Sequence, residues 1–167
     1  ADTGLPLLYV NLVGGQDELV FDGGSFAVEP SRGLAFRAPS WQSGVAGTRW
    51  LKEQAGWRCE AAVASQAGGV EAIYLAMLLG LRDYVGKNGF PGVVIGMSGG
   101  IDSALSAAVA VDALGPERVR LVMMPSPYTS QHSLEDPAEA AALLGARIDQ
   151  VGIAPAMGAF QQMLAEL

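Results

Sequence analysis

The sequence predicts an α/β fold: a doubly wound parallel sheet in its second part, preceded by a smaller antiparallel β unit. Three observations carry this. After residue 70, short apolar runs alternate with helical periodicity three times, the pattern of a parallel sheet covered by helices. Before it, two β-rich stretches are joined by a loop shorter than the dozen or so residues of a parallel crossover. Where the first apolar run hands over to a helix stands "GMSGGIDS" (96–103), richer in glycine and polar groups than a turn requires.

The elements follow in order. Residues 5–12 and 19–28 are rich in Leu, Val, Tyr and Phe, with "GGQDE" between them, which reads as strand, loop, antiparallel strand. "EPSRG" is a second turn, followed by the short apolar piece "LAF". Residues 37–69 are mixed and glycine-rich, with Trp41, Trp50 and Trp57, and read as the edge of the first unit plus a linker. The boundary is placed at "SQAGG": residues 1–60 form the first domain, a linker runs to about 69, and 70–167 form the second. "VEAIYLAMLLGLRDYVGK" (70–87) has apolar residues at helical spacing. "GVVIG" is a buried strand, and Asp102 or Ser103 can cap the helix that runs through Leu114. "RVRLVMM" is the next strand, "PSPYTSQHSLED" a loop, and Pro137 suits the first turn of a helix ending at Leu144. "ARIDQVGI" and "AMGAFQQMLAEL" supply the last strand and helix. Such a sheet has its ligand crevice at the carboxyl ends of the strands, which is where 96–103 falls.

Composition narrows the function classes. Half of the 167 residues are apolar and 16% are charged, enough core material to exclude disorder. Ten basic residues against seventeen acidic give a net charge of −7, which speaks against a nucleic-acid partner. The single cysteine, Cys59, excludes an internal disulfide framework and fits a reducing compartment. No apolar run reaches the roughly 18 residues of a membrane span, and the start lacks an export pattern. The expectation is a cytoplasmic protein without a membrane partner. The chain starts without Met and stops inside a helical pattern, so it reads as a piece of something longer.

The chemistry concentrates at 96–103. A helix amino terminus presents unpaired N–H groups and partial positive charge, so it attracts anions. Gly99 and Gly100 let the backbone approach a phosphate closely. Ser98 and Ser103 place hydroxyls on either side. Asp102 would repel a bare phosphate but suits a Mg²⁺ that travels with the ligand. No lysine follows Lys87, so a Walker A loop is excluded, and G-x-G-x-x-G is absent. One rival fits literally: Gly96-Met97-Ser98-Gly99-Gly100 spells the G-x-S-x-G of an α/β-hydrolase. It needs a histidine, and His132 comes too early in the chain; it also leaves Asp102 and Ser103 idle. A bland reading, a βα turn whose serines merely cap the helix, stands beside both.

Ser98-Gly99-Gly100-Ile101-Asp102-Ser103 resembles the pyrophosphate loop of the N-type ATP pyrophosphatases. That family joins AMP to a carbonyl oxygen, releases pyrophosphate, and lets a nitrogen or sulfur nucleophile displace AMP. The flanks "LGLRDYVGKNGFPGVVIGMSGGIDSALSAAVAVDALG" and "MPSPYTSQHSLEDPAEAAALLG" are similar to the synthetase domain of the NAD synthetases. "LPLLYVNLVGGQDELVFDGGSFAVEP" is similar to the late strands of a nitrilase-type amidohydrolase sandwich, which precedes the synthetase domain in glutamine-dependent members.

The resemblance implies ATP and Mg²⁺ as cofactors, with deamido-NAD and glutamine or ammonia as the other reactants. It places ATP pyrophosphate binding on Gly96, Met97, Ser98, Gly99, Gly100, Ile101, Asp102 and Ser103, and the metal on Asp102. More weakly, it puts Met124 and Pro125 near the adenosine, and residues 128–136 in a mobile loop over the nucleotide. Ser133 and Asp136 read equally as helix-cap residues and His132 as an exposed loop residue. The glutaminase Glu, Lys and Cys are expected upstream, so no catalytic residue falls in this span and Cys59 is a small apolar residue. Asp17, Glu18 and Asp22 read as turn and edge residues. A homo-oligomer is implied. Another ATP pyrophosphatase amidotransferase, or a nucleotide-sensing scaffold, are the alternatives left open.

Overall fold

The computed structural model describes residues 3–129 and 132–165. The chain divides into two compact units, Ala1–Tyr84 and Val85–Leu167.

The first unit is antiparallel. Strands β1 (Leu7–Tyr9), β2 (Val13–Gln16), β3 (Leu19–Asp22), β4 (Phe26–Val28) and β5 (Leu34–Arg37) come in close succession. β4 lies between β1 and β5, antiparallel to both, and Tyr9 stacks on Phe26 with ring centroids 5.1 Å apart. β2 and β3 form a tight hairpin turning at Asp17 and Glu18. The expected "GGQDE" loop is therefore mostly strand: Gly14 and Gly15 belong to β2. Glycine in a strand marks a close backbone approach, and here a Cβ on Gly15 would stand 3.0 Å from the Gly80 Cα.

A second hairpin, β6 (Arg49–Glu53) and β7 (Gly56–Glu60), occupies part of the stretch read as the edge of the first unit. Its strands hide from pattern reading because charged residues interrupt the apolar alternation. Cross-strand pairs hold it instead. Arg58 bonds Glu53 across the hairpin at 2.8 Å and Glu60 of its own strand at 3.0 Å, and the Lys52 ammonium sits 5.9 Å from the centre of the ring of its cross-strand partner Trp57.

Helix α1 (Gly69–Lys87) opens with Glu71 and closes with Lys87, charges that complement its dipole. Leu79 and Val85 are its buried positions. Gly80 costs about 1 kcal/mol relative to alanine in a helix interior, offset by the space it leaves: a Cβ there would meet Val20 Cγ2 at 3.2 Å. The division between the compact units falls inside α1, after Tyr84.

The second unit is the parallel α/β fold the sequence predicts. It runs β8 (Val93–Met97), α2 (Ile101–Leu114), a 3-10 turn (Pro116–Arg118), β9 (Val119–Met123), α3 (His132–Leu144), β10 (Arg147–Gln150) and α4 (Ala154–Leu164). The strands are parallel in the order β10-β9-β8. Leu121, fully buried in the central strand, pairs with Ile95 on one side and Ile148 on the other. Ala107, Ala110 and Leu114 of α2 and Ala141 of α3 complete the core. The approach to β8 is pinned by Arg118, whose guanidinium donates to the Phe90 and Pro91 carbonyls at 2.9 and 3.0 Å.

Two local expectations are corrected. Gly100, not Asp102 or Ser103, is the N-cap of α2; its backbone is extended and no side-chain oxygen caps the helix. Helix α3 begins at His132, so Pro137 lies in its interior and helix replaces the second half of the expected 128–136 loop. A proline at this sixth position withholds one intrahelical bond and crowds the carbonyl four residues back. No helix of the described residues is long and apolar enough to cross a membrane.

Candidate functional site

The turn 98–103 grows directly from β8. Met97, the last strand residue, is buried and anchors it to the core. Gly96 lies within the strand rather than at the loop start. Its open face meets the residue after β9: a Cβ on Gly96 would be 3.4 Å from Met124 Cε. Gly99 then reverses the chain with φ of +81°, a left-handed conformation natural to glycine. Gly100 starts α2, and Asp102 and Ser103 stand in its first turn, Asp102 exposed.

Hydrogen bonds within the turn close on themselves. Ser103 Oγ donates to the Gly100 carbonyl at 2.9 Å and accepts from the Ser98 N–H at 3.3 Å. Ser98 Oγ accepts from the Gly100 N–H at 3.3 Å. The hydroxyls lie 3.2 Å apart. A hydroxyl has one proton, and that of Ser103 is already engaged, so Ser98 is the donor between them. Both hydroxyls are thus spent on shaping the turn. The amides of Gly99, Ile101, Asp102 and Ser103 have no partner among the described residues, as the opening turn of a helix dictates. Unpartnered N–H groups at and just before the positive end of a helix make this turn a candidate anion cradle.

A cavity of about 210 Å³ adjoins this cradle, with Gly99, Gly100 and Ile101 on one side and Asp136, Pro137 and Ala140 of α3 on the other. That is below the roughly 300–1,000 Å³ of a pocket enclosing a whole ligand, so it suits one part of a larger molecule. Asp136 is a wall residue inside α3 rather than a cap. Ala104, Pro137 and Ala140 carry no polar signature that pattern reading could have found.

Met124 and Pro125 follow β9 at the same sheet edge, Met124 half exposed. The chain beyond β10 bonds to this segment, Val151 N–H to the Met123 carbonyl at 2.8 Å and Ile153 N–H to that of Pro125 at 3.1 Å. Ser126–Thr129 is a self-bonded turn, with the Ser126 N–H on Thr129 Oγ1 at 2.8 Å. Residues 130 and 131, and the side chains of His132 and Ser133, lie outside the described residues.

Asp102 is a single exposed carboxylate, and among the described residues no group of three or more His, Cys, Asp or Glu could hold a metal. That donor set fits a Mg²⁺ arriving with phosphate oxygens, held by one or two carboxylates, rather than a metal cage belonging to the protein. The hydrolase reading gains nothing: a nucleophile elbow strains the serine itself, whereas the left-handed residue here is Gly99, not Ser98. Cys59 lies in β7, its thiol pushed up by burial and by the charges of Glu29 and Glu60, which opposes the thiolate a nucleophile requires. Asp17 turns the β2–β3 hairpin, and Asp22 accepts a hydrogen bond from Asn11 at 3.1 Å.

A parallel sheet flanked by helices, with an amide-rich turn at its carboxyl edge, is a Rossmann-like α/β domain. Residues 73–167 match the family described as NAD synthase. The chain belongs to that family. It is 48% identical over its whole length to the glutamine-dependent NAD(+) synthetase of Rhodobacter capsulatus, of which it covers 30%. The structure of glutamine-dependent NAD+ synthetase from Acinetobacter baumannii in complex with ADP superposes with a TM-score of 0.91 at 42% identity, covering 98% of this chain and 31% of that one. The NH3-dependent NAD synthetase from Campylobacter jejuni gives 0.54 at 32% identity, over 58% of this chain and 42% of the other. The chain therefore spans about 30% of the length of the curated relatives it matches.

Proposed function

We propose that this chain carries the ATP-binding turn of a glutamine-dependent NAD synthetase. In this reading a carboxylate oxygen of deamido-NAD attacks the α-phosphorus of ATP and pyrophosphate leaves. Ammonia then attacks the acyl carbon and AMP departs, giving NAD. The observation that carries the proposal is the cradle of unpartnered amides beside the 210 Å³ cavity. Those amides hold the pyrophosphate oxygens before and during bond breaking, and fixed donors aimed at developing charge lower the barrier without reorganising. Gly96, Met97 and Gly100 set the backbone path, Ser98 and Ser103 shape the turn, and Ile101 and Asp102 present N–H groups. Met124 and Pro125 border the adenosine side. Mg²⁺ on the Asp102 carboxylate would offset charge on the leaving pyrophosphate.

Ammonia comes from glutamine in a nitrilase-type domain to which residues 1–60 belong, with a linker to about 69 and the synthetase domain from 70. The wider coverage by the glutamine-dependent structure than by the ammonia-dependent one supports this. A cytoplasmic homo-oligomer with no nucleic-acid or membrane partner is part of the same proposal.

The test is pyrophosphate release when full-length protein is mixed with ATP, Mg²⁺, ammonium and deamido-NAD. Release that needs all four components, with one NAD formed per pyrophosphate, is expected. ATP-independent hydrolysis of an ester, with Ser98 labelled by a fluorophosphonate, would overturn the assignment.

A further inference from the structure

Within the antiparallel unit, β2 meets α1 at a range that side chains do not permit. A Cβ on Gly15 would stand 3.0 Å from the Gly80 Cα and 3.4 Å from Asp83 Cβ, and one on Gly80 would crowd Val20. At this crossing the Gly15 N–H donates to Asp83 Oδ2 at 2.8 Å. The bond is charge-assisted and part-buried, and the paired glycines let the two backbones approach closely at this crossing.

The clasp joins two parts of the chain with different affiliations. Gly15 precedes the NAD synthase match, whereas Gly80 and Asp83 lie inside it. By sequence α1 belongs to the synthase family from residue 73, yet up to Tyr84 it falls in the compact unit of the antiparallel strands. The same helix leads without another element into β8 and the 98–103 turn.

We propose that the Gly15–Gly80–Asp83 clasp couples glutamine hydrolysis to amide synthesis, with Asp83 as its positioning residue; this rests on the functional reading above. Glutamine and water give glutamate and ammonia, and the ammonia must reach the acyl-adenylate before it escapes to solvent. A helix locked to the glutaminase-side hairpin fixes the geometry of that transfer. Asp83 touches no reactant, so its loss should change the ratio of products rather than the synthetic step.

Full-length Asp83→Ala, Asp83→Asn and unsubstituted protein would be assayed for glutamate and NAD with glutamine, and for NAD with ammonium chloride. Asp83→Ala is expected to raise the glutamate-to-NAD ratio at least about twofold, with ammonium-driven synthesis within about twofold of the unsubstituted rate. Asp83→Asn keeps an acceptor oxygen and should raise it less. An unchanged ratio in Asp83→Ala overturns the clasp's role; should the alanine variant not fold, an unchanged ratio in Asp83→Leu, which also lacks an acceptor, does so. An equal fall in ammonium-driven and glutamine-driven synthesis overturns it too, because it marks a merely structural residue. Failure of the unsubstituted protein to make NAD from ammonium counts against the functional reading and, with it, the clasp's role.

Discussion

Ser103 and Asp102 are neighbours in one helical turn with separable tasks. The Ser103 hydroxyl serves the Gly100 carbonyl and the Ser98 N–H, so Ser103→Ala loosens the cradle before nucleotide arrives. A net hydrogen-bond contribution is about 0.5–1.5 kcal/mol, and about 1.4 kcal/mol is tenfold in affinity. Ser103→Ala is therefore expected to raise the KM for ATP several-fold with kcat little changed, measured on full-length protein. A fall in kcat at constant KM would mean that the hydroxyl meets the transition state instead. Asp102→Ala removes the proposed metal ligand and is expected to abolish most ATP-dependent NAD formation while glutamine hydrolysis stays measurable. Undiminished synthesis would exclude the metal role. The residue types of this turn were legible in the sequence; that its hydroxyls bond each other was not, because rotamers answer to neighbours in space.

Elements here are positioned by what they lack as much as by what they carry. Gly92 precedes β8, and a Cβ there would fall on the Arg118 carbonyl oxygen. Backbone cannot swing aside as a side chain can, so Gly92→Ala forces a shift where β8 meets β9. Overpacking of this kind typically costs about 1–3 kcal/mol, and urea unfolding should show a lower midpoint with an unchanged slope. A midpoint equal to that of the unsubstituted protein would show that the approach to β8 yields freely. Apolar runs and helical spacing revealed α1, α2, α4 and the three parallel strands, because an apolar face repeats at the period of its element, while Pro137 marked α3. They missed β6–β7, where Arg49, Lys52, Glu53, Arg58 and Glu60 break the alternation. Pro137 also set the start of α3 too late, because proline favours but does not require the first turn.

At the scale of the whole molecule, a charge cluster across β9 and β10 contributes to acid stability. Asp149 bonds Arg120 and Arg147, and the Arg120 guanidinium, then that of Arg147, holds its carboxyl below the usual carboxylate range. A carboxyl lowered in the folded state stabilises above its ordinary pKa of about 3.9, and that contribution is lost as pH falls through the lowered value. Asp149→Asn should therefore flatten the fall in thermal midpoint between about pH 5 and pH 2; an unaltered slope would remove Asp149 from the acid transition. The alternation of helix and parallel strand in the second unit and the place of the glycine–serine–aspartate turn were determined by sequence alone, since period and turn chemistry are local properties of the chain. Tertiary structure decided that α3 supplies the far wall of the cavity, that Gly15 sits against Gly80, and that the serines bond each other rather than facing outward. Those facts rest on contacts between residues far apart in the chain or on competition among nearby donors, and neither leaves a periodic trace for a sequence to show.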